Sequence, residues 1–451
     1  MSFTGRKKEL SFLEESFNRD GSFLSVLYGR KGVGKTALCK KFAQGRVSCF
    51  LFARECSDVR QRRYFAEDLS MEENESGLWS YSDIFEYAFR KNSSDGKLLL
   101  VIDEFQHIIK DSSSFMDELT SFLGKHDCMA ILISSSISYV ENSFVSKTGR
   151  NALSVDRFLK VGELGFLDCV KYFDGRTTEE CIEIYSILGG VPAYWECFDK
   201  TLPPAENIKK NILSKNSFLF TEGREMVASE LRELTVYDTV LSCMAAGECK
   251  LNDIHLQTGY SRAKISVYLK TLIEMELVEK VYPFDAADNT AARKGLYRIK
   301  VPFLRFYYRV ICGHYSDLSM LSVSDFYKKI ASGLIIDICM KGLKEVCKEY
   351  LSIMGDNGAL PIKPVRSGEW QGKNGNIDVI LEDDAGRIVI AFVSVKEETD
   401  LKEYTSFLKT AGSSGLKPVR MYIFSAGHFS DDLKVMEKED DSIKLVRIEE
   451  L

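Results

Sequence analysis

The sequence predicts an α/β fold in which a parallel sheet flanked by helices is followed by smaller helical and mixed domains. In roughly the first 160 residues, short apolar runs alternate with helical patterns, an arrangement that places parallel strands in one sheet. One of these runs leads into a glycine-rich loop and then into a helix. At 451 residues the chain is long for a single core, and chains of this length favour about three domains.

The glycine-rich loop matches a P-loop. It follows the apolar run 23–28, precedes a helical segment that begins at Ala37, and comprises Gly29-Arg30-Lys31-Gly32-Val33-Gly34-Lys35-Thr36. Glycines let successive backbone N–H groups point at a phosphate, and the helix N-terminus adds partial positive charge. Lys35 is predicted to contact the β and γ phosphates and Thr36 to bind Mg²⁺. The loop from Gly29 to Ala37 therefore predicts a binding site for ATP and Mg²⁺.

A second strand is predicted to bring acids to the metal. The aliphatic run 98–102 is typical of a buried parallel strand, and Asp103 and Glu104 follow it directly. This is the pattern of a Walker B strand, in which Asp103 holds Mg²⁺ through water and Glu104 polarises the attacking water as general base. The presence of both acids indicates turnover rather than binding alone.

Two further segments are candidates for contact with the nucleotide. The apolar run 129–133 is followed by serines, of which Ser135 is predicted either to contact the γ-phosphate or lytic water or to form a turn. The break Gly189-Gly190-Val191-Pro192 lies among helical patterns. Pro192 is predicted either to approach the base or sugar or only to separate two helices.

Composition limits the classes of protein to which the chain belongs. The formal net charge of −6 gives no global basic signature of nucleic-acid binding, so any DNA contact is expected to be a local patch. The twelve cysteines form no C-x-x-C pair, which argues against structural zinc and for buried thiols in a reducing compartment. No apolar stretch is long enough for a membrane span. We expect a cytoplasmic protein with no membrane partner.

Changes in pattern along the chain predict four domains. These are a P-loop core at 1–160, a helical lid at 161–225, a winged helix-turn-helix at 226–312 and an α/β domain at 313–451. In the third, Ser261 is predicted to cap a recognition helix, and a two-stranded wing follows. The candidate DNA contacts are Arg262, Lys264, Ser266 and Lys270 on the helix, and Arg293, Lys294 and Arg298 on the wing. Nearby glutamates dilute this patch, so the module is predicted to contact either double-stranded DNA or protein.

The chain resembles the archaeal-type AAA+ ATPases, a family in the broader STAND-like group, over nearly its whole length. The resemblance rests on the box from Phe3 to Leu10, on the P-loop with Tyr28, and on later motifs in family order that end with 302–306. It implies that the box, with Gly5 and Arg6, packs near adenine. It also implies that Arg150 is an arginine finger, for which a surface arginine is the alternative.

The same resemblance implies that the last domain is restriction-endonuclease-like. In PD-(D/E)xK nucleases a strand Asp and an acid-x-Lys on the next strand hold Mg²⁺, and here Asp378 and Lys396 match, but Ser394 stands in place of the acid. A serine hydroxyl does not replace the charge of a carboxylate. Glu345, Glu369 and Glu397 are alternative acids. We therefore expect a degenerate nuclease fold that serves as a binding module, for a protein partner or for self-association.

Together these patterns predict a Mg²⁺-dependent ATPase that acts as a nucleotide switch and controls binding to DNA or to a protein partner. Two alternatives stay open. One is an ATP-gated nuclease that uses Asp378 and Lys396. The other is a transcription regulator in which ATP licenses DNA binding.

Overall fold

A computed structural model of the chain describes residues 3–72, 78–92, 96–109, 114–245, 247, 249–284, 295–373 and 375–451. The chain divides into two compact units. The first contains the chain up to Leu164 together with Val191–Tyr194, and the second contains Gly165–Gly190 and the chain from Trp195 onward. None of the helices in the described ranges is both long and apolar enough to span a membrane.

The described strands of the first unit form one parallel sheet. They are β1 (Phe23–Tyr28), β2 (Ser48–Phe52), β3 (Leu98–Asp103), β4 (Cys128–Ser134) and β5 (Arg157–Lys160). Their order is β2-β3-β4-β1-β5, and each neighbouring pair is parallel. Because the carboxyl ends of parallel strands share one edge, the segments that follow β1, β3 and β4 lie at the same side of the sheet. The predicted α/β fold, with a parallel sheet flanked by helices, is confirmed.

Helices cover this sheet on both faces. They are α1 (Lys7–Phe17), α2 (Lys35–Phe42), α3 (Asp58–Leu69), α4 (Tyr81–Asn92), α5 (Gln106–Ile109), α6 (Phe115–Leu123) and α7 (Phe144–Thr148), with a π-helical turn at Tyr139–Ser143 and a 3₁₀ segment at Gly149–Ser154. Alternate residues of the central strands β1, β3 and β4 enter different cores: in β3, Leu98, Leu100 and Ile102 pack into one, and Leu99 and Val101 into the other. Burial on both faces explains why these strands are continuously apolar.

The second unit begins with helices, and its chain then forms a helical module with a hairpin. The first set is α8 (Phe166–Tyr172), α9 (Thr178–Leu188), α10 (Pro192–Trp195, which begins in the first unit), α11 (Pro204–Asn207), a π-helical turn at Ile208–Ile212 and α12 (Phe218–Ala228). The module consists of α13 (Leu234–Met244), α14 (Leu251–Thr258), α15 (Arg262–Glu274) and the antiparallel strands β6 (Val278–Val281) and β7 (Leu296–Ile299).

The remaining helices of the second unit lead into a mixed sheet. They are α16 (Pro302–Phe306), a π-helical segment at Tyr307–Cys312, α17 (Tyr315–Met320), α18 (Val323–Phe326), a second π-helical segment at Tyr327–Ala331, and the long α19 (Ser332–Asp356). After them come β8 (Arg366–Gly372), β9 (Gly375–Glu382), β10 (Ile388–Ser394), β11 (Glu398–Thr399), α20 (Leu401–Ser414), β12 (Pro418–Ser425), β13 (His428–Phe429), α21 (Asp431–Glu439), β14 (Ile443–Arg447) and a 3₁₀ turn at Ile448–Glu450.

The mixed sheet has the order β14-β12-β10-β9-β8. Strands β8, β9 and β10 are antiparallel neighbours, whereas β10, β12 and β14 run parallel. A tight turn joins β9 and β10. In it, the Asp383 carboxylate accepts hydrogen bonds from the backbone N–H groups of Ala385 and Arg387, and Gly386 adopts a φ of 75° that favours glycine.

Candidate functional site

The phosphate-binding loop is shaped by close backbone approaches that only glycine allows. A Cβ atom on Gly29 would lie 2.2 Å from the carbonyl oxygen of Val161. Gly32 has a φ of 84°, and a Cβ atom there would lie 3.0 Å from the side chain of Val191. The carbonyl of Gly32 also accepts a hydrogen bond from the N–H of Ala193. The loop is therefore packed between the segment after β5 and the segment 191–194.

Lys35 lies at the start of α2, buried beneath the loop. Its Nζ donates hydrogen bonds to the carbonyl oxygens of Gly29, at 2.7 Å, and Arg30, at 2.9 Å. Burial lowers the pKa of Lys35 to about 8, although Glu104 and Asp103 favour its charged form. An ammonium group held in this way is placed where an anionic phosphate would stabilise its charge.

Thr36 and Asp103 meet across the gap between the loop and β3. The Thr36 hydroxyl donates to a carboxylate oxygen of Asp103 at 2.5 Å. Burial raises the pKa of Asp103, and the hydrogen bond from Thr36 acts in the opposite direction. The structure thus brings together the two predicted metal-binding side chains.

This pair of side chains fits Mg²⁺. A hydroxyl and a carboxylate are hard oxygen ligands, and Mg²⁺ is commonly held by one or two carboxylates with the rest of its shell supplied by water and substrate phosphates. In the part of the chain that the structure describes, no group of three or more His, Cys, Asp or Glu side chains is placed to hold a metal alone. A metal at Thr36 and Asp103 would therefore depend on phosphate oxygens.

Glu104 is held by a small polar network. One carboxylate oxygen accepts hydrogen bonds from the Ser135 hydroxyl, at 2.6 Å, and from the Gln106 amide nitrogen, at 2.5 Å. Glu104 also has a φ of 55°, which a non-glycine residue rarely adopts. Such strain persists only where the surroundings fix the conformation, and it is common at active sites. The network orients the carboxylate that the sequence identified as a general base.

Sequence reasoning missed Gln106. It is 3% exposed, and its amide oxygen is buried with no hydrogen-bond partner among the described residues. The available signal was its position two residues after Glu104. Helix α5 begins at Gln106, and the Gln106 side chain turns back toward the Glu104 carboxylate.

The N-terminal box ties the start of the chain to the loop. Arg6 is 8% exposed, and one of its guanidinium nitrogens donates to the carbonyl oxygens of Val33, at 2.8 Å, and Gly162, at 2.6 Å. Gly5 and Arg6 both have positive φ values, 72° and 63°. The structure therefore places the predicted box beside the loop, while its contact with adenine stays a prediction.

Other predicted nucleotide contacts differ in their surroundings. Pro192 begins α10, and its ring lies 3.9 Å from where a Cβ atom of Gly34 would be. Lys31 and Ala37 are exposed, and Arg30 forms an ion pair with Glu163. Arg150 is exposed on the 3₁₀ segment, and among the described residues no hydrogen bond or ion pair joins it to the loop. Its role as an arginine finger stays a prediction.

In the second unit, the predicted DNA-binding side chains of α15 are exposed. Ser261 caps the helix by accepting a hydrogen bond from the N–H of Lys264 at 3.2 Å. Arg262 donates to Asn252, and Lys270 lies 3.7 Å from Glu274. Arg293 and Lys294 lie outside the described residues. Arg298 differs from expectation, since it forms ion pairs with Glu279 and Glu369 at 2.5 and 2.8 Å.

The two predicted nuclease residues have different partners. Asp378 lies 2.6 Å from the Nζ of Lys344, and Lys396 lies 3.0 Å from a carboxylate oxygen of Glu403. The Ser394 hydroxyl, in the position of the missing acid, also donates to Glu403 at 3.1 Å. Glu403 was not identified from the sequence, because it lies on α20 rather than on the motif strand.

Two of the alternative acids are also engaged, and the third is exposed. Glu345 is paired with Arg305 at 3.1 Å, and Glu369 with Arg298. Glu397 is exposed. The nuclease-like assignment and the loss of its metal site stay predictions.

Comparison with known families identifies two regions of the chain. Residues 3–198 match the family described as an ATPase domain predominantly from Archaea. Residues 307–405 match a family of archaeal and bacterial proteins of unknown function.

Individual proteins are similar to all or part of the chain. An uncharacterized protein of Methanocaldococcus jannaschii is 26% identical and covers 99% of both chains. An uncharacterized ATP-binding protein of the same organism is 50% identical over 44 residues, which are 10% of this chain and 75% of that protein.

Two solved structures are similar to part of the chain. The Walker-type ATPase of Pyrococcus abyssi is 17% identical with a TM-score of 0.46, and the match covers 68% of this chain and 96% of that one. The ORC2 protein of Aeropyrum pernix, solved with ADPNP and ADP, is 13% identical with a TM-score of 0.46 and coverages of 71% and 96%.

Proposed function

Because the chain belongs to the archaeal-type ATPase family, we propose that it binds ATP with Mg²⁺, hydrolyses the ATP, and uses the bound nucleotide as a switch for partner binding. The observation that carries the proposal is the meeting of three groups at one sheet edge. These are the buried Lys35, the Thr36–Asp103 pair at 2.5 Å and the Glu104 carboxylate.

Each group has a separate task. Lys35 binds phosphate oxygens, exchanging the carbonyls of Gly29 and Arg30 for a charged partner. Thr36 and Asp103 would hold Mg²⁺, which when bound supplies positive charge to the phosphate oxygens. Glu104 accepts a proton from the attacking water, while Ser135 fixes the direction of its carboxylate. One carboxylate oxygen takes the bonds from Ser135 and Gln106, which leaves the other to face the water.

Two substitutions test the proposal. Lys35→Ala is expected to lose ATP affinity, because the charged contact to the phosphates is removed. Glu104→Gln is expected to bind ATP normally but to hydrolyse it more slowly by about a hundredfold, because an amide does not accept the proton. Binding is measured by calorimetry with Mg²⁺ present, and turnover by phosphate release. Equal turnover by Glu104→Gln and wild type would contradict the assignment.

A second function, DNA binding by α15, is supported by a local cationic surface. Arg262, Lys264 and Lys270 are exposed along one helix of a helical module that ends in an antiparallel hairpin, the element order of a winged helix-turn-helix. Reversing the charge of Arg262 and Lys264 is expected to weaken a salt-sensitive gel shift of duplex DNA without changing ATP turnover. If the shift persists, the DNA is bound outside this helix.

Metal-dependent cleavage by the last domain is the less favoured alternative. The carboxylate of Asp378 is already paired with Lys344, and Lys396 is paired with Glu403. Cleavage of DNA that requires Mg²⁺ or Mn²⁺ and vanishes in Asp378→Ala would establish it.

A further inference from the structure

A cleft of about 1110 Å³ opens within the second unit, between the β6–β7 hairpin, helix α19 and strands β8 and β9. Its lining contains eight lysine or arginine residues and five aspartate or glutamate residues, a formal excess of three positive charges. The chain as a whole carries a formal charge of −6. Positive charge is thus concentrated in a concave part of an acidic protein, where a polyanion would be attracted.

One face of α19 supplies much of this charge. Lys341, Lys344 and Lys348 are spaced by three and four residues, so they lie on the same side of the helix, and all three line the cleft. Like charges at this spacing repel one another and destabilise a helix slightly. The Lys344–Asp378 ion pair neutralises part of this charge, and an anion bound between the lysines would reduce the repulsion that is left.

Four of the five acids of the cleft are engaged by cations, and the fifth, Asp253, accepts a hydrogen bond from the backbone N–H of Lys250. Asp378 pairs with Lys344, Glu345 with Arg305, and Arg298 with both Glu279 and Glu369. A metal ion would have to displace these cations to reach the carboxylates. The described residues also contain no cluster of three or more metal-ligating side chains. The cleft therefore presents cations toward a ligand and lacks what metal-assisted cleavage needs.

Arg305 adds an independent sign of a ligand. It belongs to α16, lines the cleft, and is 8% exposed. Its terminal nitrogens bond to Glu345, yet its Nε is buried with no hydrogen-bond partner among the described residues. An unpaired buried donor is costly, and an oxygen of a bound anion would satisfy it.

From these features we propose that the cleft binds the phosphate backbone of a nucleic-acid strand, without a metal ion and without cleaving it. Repeated phosphates match a row of lysines on one helix face. The half-exposed ring of Tyr282, also on the cleft wall, offers a surface on which a base would stack, which favours a nucleic acid over an acidic peptide. The site is separate from the phosphate-binding loop and does not rest on ATP turnover.

The test is a binding titration of the full-length chain. Fluorescein-labelled DNA of mixed sequence, single-stranded or duplex, is added in EDTA, without nucleotide, at about 0.1 M salt. The variant Lys341→Glu/Lys348→Glu is expected to weaken binding at least tenfold and to reduce the salt slope, because fewer phosphates are neutralised. The control Lys417→Glu/Lys438→Glu changes the net charge equally at exposed positions outside the cleft, and its affinity is expected to stay within about twofold of wild type.

A footprint on the wild-type protein tests the same site without substitutions. Bound DNA is expected to protect Lys341, Lys344 and Lys348 from acetylation, as read by mass spectrometry, and to leave Lys417 and Lys438 reactive. Binding of either form of DNA with this protection pattern supports the proposal.

Four results would overturn it: no DNA binding by wild type in EDTA, an unchanged affinity in the cleft variant, equal losses in the cleft and control variants, or strand cleavage when Mg²⁺ is added. ATP binding is measured on each variant separately. A failure of the cleft proposal is thereby distinguished from a failure at the phosphate-binding loop.

Discussion

Individual side chains at the loop show how burial and charge are balanced before a nucleotide arrives. Lys35 is buried, near two acids, and satisfied by backbone carbonyls. Asp103 is also buried, which raises its pKa. Its carboxylate accepts a hydrogen bond from the hydroxyl of Thr36 in the loop. Each group is held in place by a partner that a phosphate or metal would replace.

The pKa of Lys35 predicts how ATP affinity depends on pH. Burial lowers it to about 8 in the empty site, and the negative charge of ATP favours the ammonium form. Above about pH 8, binding must therefore take up a proton, so affinity is expected to fall by up to tenfold per pH unit, whereas below that pH it stays level. Calorimetry from neutral to alkaline pH measures this dependence. Lys35→Met is the control, since it should bind weakly without the alkaline fall, and a flat wild-type profile would contradict the prediction.

Gln106 is predicted to position Glu104. Gln106→Leu keeps the volume of the side chain but removes the donor to the carboxylate, so kcat for ATP hydrolysis should fall about tenfold with KM unchanged. The free energy of unfolding should change by less than about 1 kcal/mol, because the lost hydrogen bond to Glu104 is offset by removal of a buried amide oxygen that has no partner among the described residues.

Steady-state kinetics and urea denaturation separate these two effects. The control is Gln44→Leu, at an exposed glutamine of the same unit, which should alter neither quantity. A kcat loss that scales with lost stability would instead make Gln106 a purely structural residue.

At the scale of strands and loops, the conformation of the phosphate-binding loop is fixed by the segment after β5 that packs against it. Gly29→Ala would push a Cβ atom to 2.2 Å from a backbone oxygen of Val161, and it is expected to lower the free energy of unfolding by about 3 kcal/mol. Gly21 also has a positive φ, 78°, but nothing lies within 4 Å of where its Cβ atom would be. Gly21→Ala should therefore cost about 1 kcal/mol. Denaturant titration compares the two, and equal costs would contradict the crowding at Gly29.

Sequence patterns located the strands that are buried on both faces. The apolar run 23–28 is β1 to the residue, and the run 98–102 differs from β3 by one. The edge strands β5 and β8 were missed. Strand β5 is short and mostly exposed, and β8 contains glycines and polar residues, so neither shows the periodicity by which a strand is recognised.

Functional residues, like strands, were predicted where a local sequence pattern identifies them. Lys35, Thr36, Asp103 and Glu104 were predicted because a local motif fixes their spacing, and the structure brings them together. The partners of Asp378 and Lys396 come from α19 and α20, which no local pattern connects to the motif strands. Long-range pairing is decided by tertiary packing, and a single sequence does not display it.

For the whole molecule, the proposed nucleotide switch predicts that ATP binding changes amide hydrogen exchange beyond the ATP site. Amide hydrogen exchange of the full chain is compared without nucleotide, with Mg²⁺ and ATP, and in Lys35→Ala as the control. Binding should slow exchange in 29–37 and 103–106, because ligand contacts suppress local opening. The switch further predicts altered exchange within the second unit. Changes confined to the first unit would contradict the switch but not ATP binding.

The left-handed backbone of Glu104 has a consequence for the evolution of this protein. A non-glycine residue at a φ of 55° raises the free energy of the native state by on the order of 1 kcal/mol. Glycine would relieve that strain but would eliminate the carboxylate. As long as turnover is selected, adaptation to higher temperature must therefore arise at other positions, and descendants that have abandoned hydrolysis would be free to gain stability here.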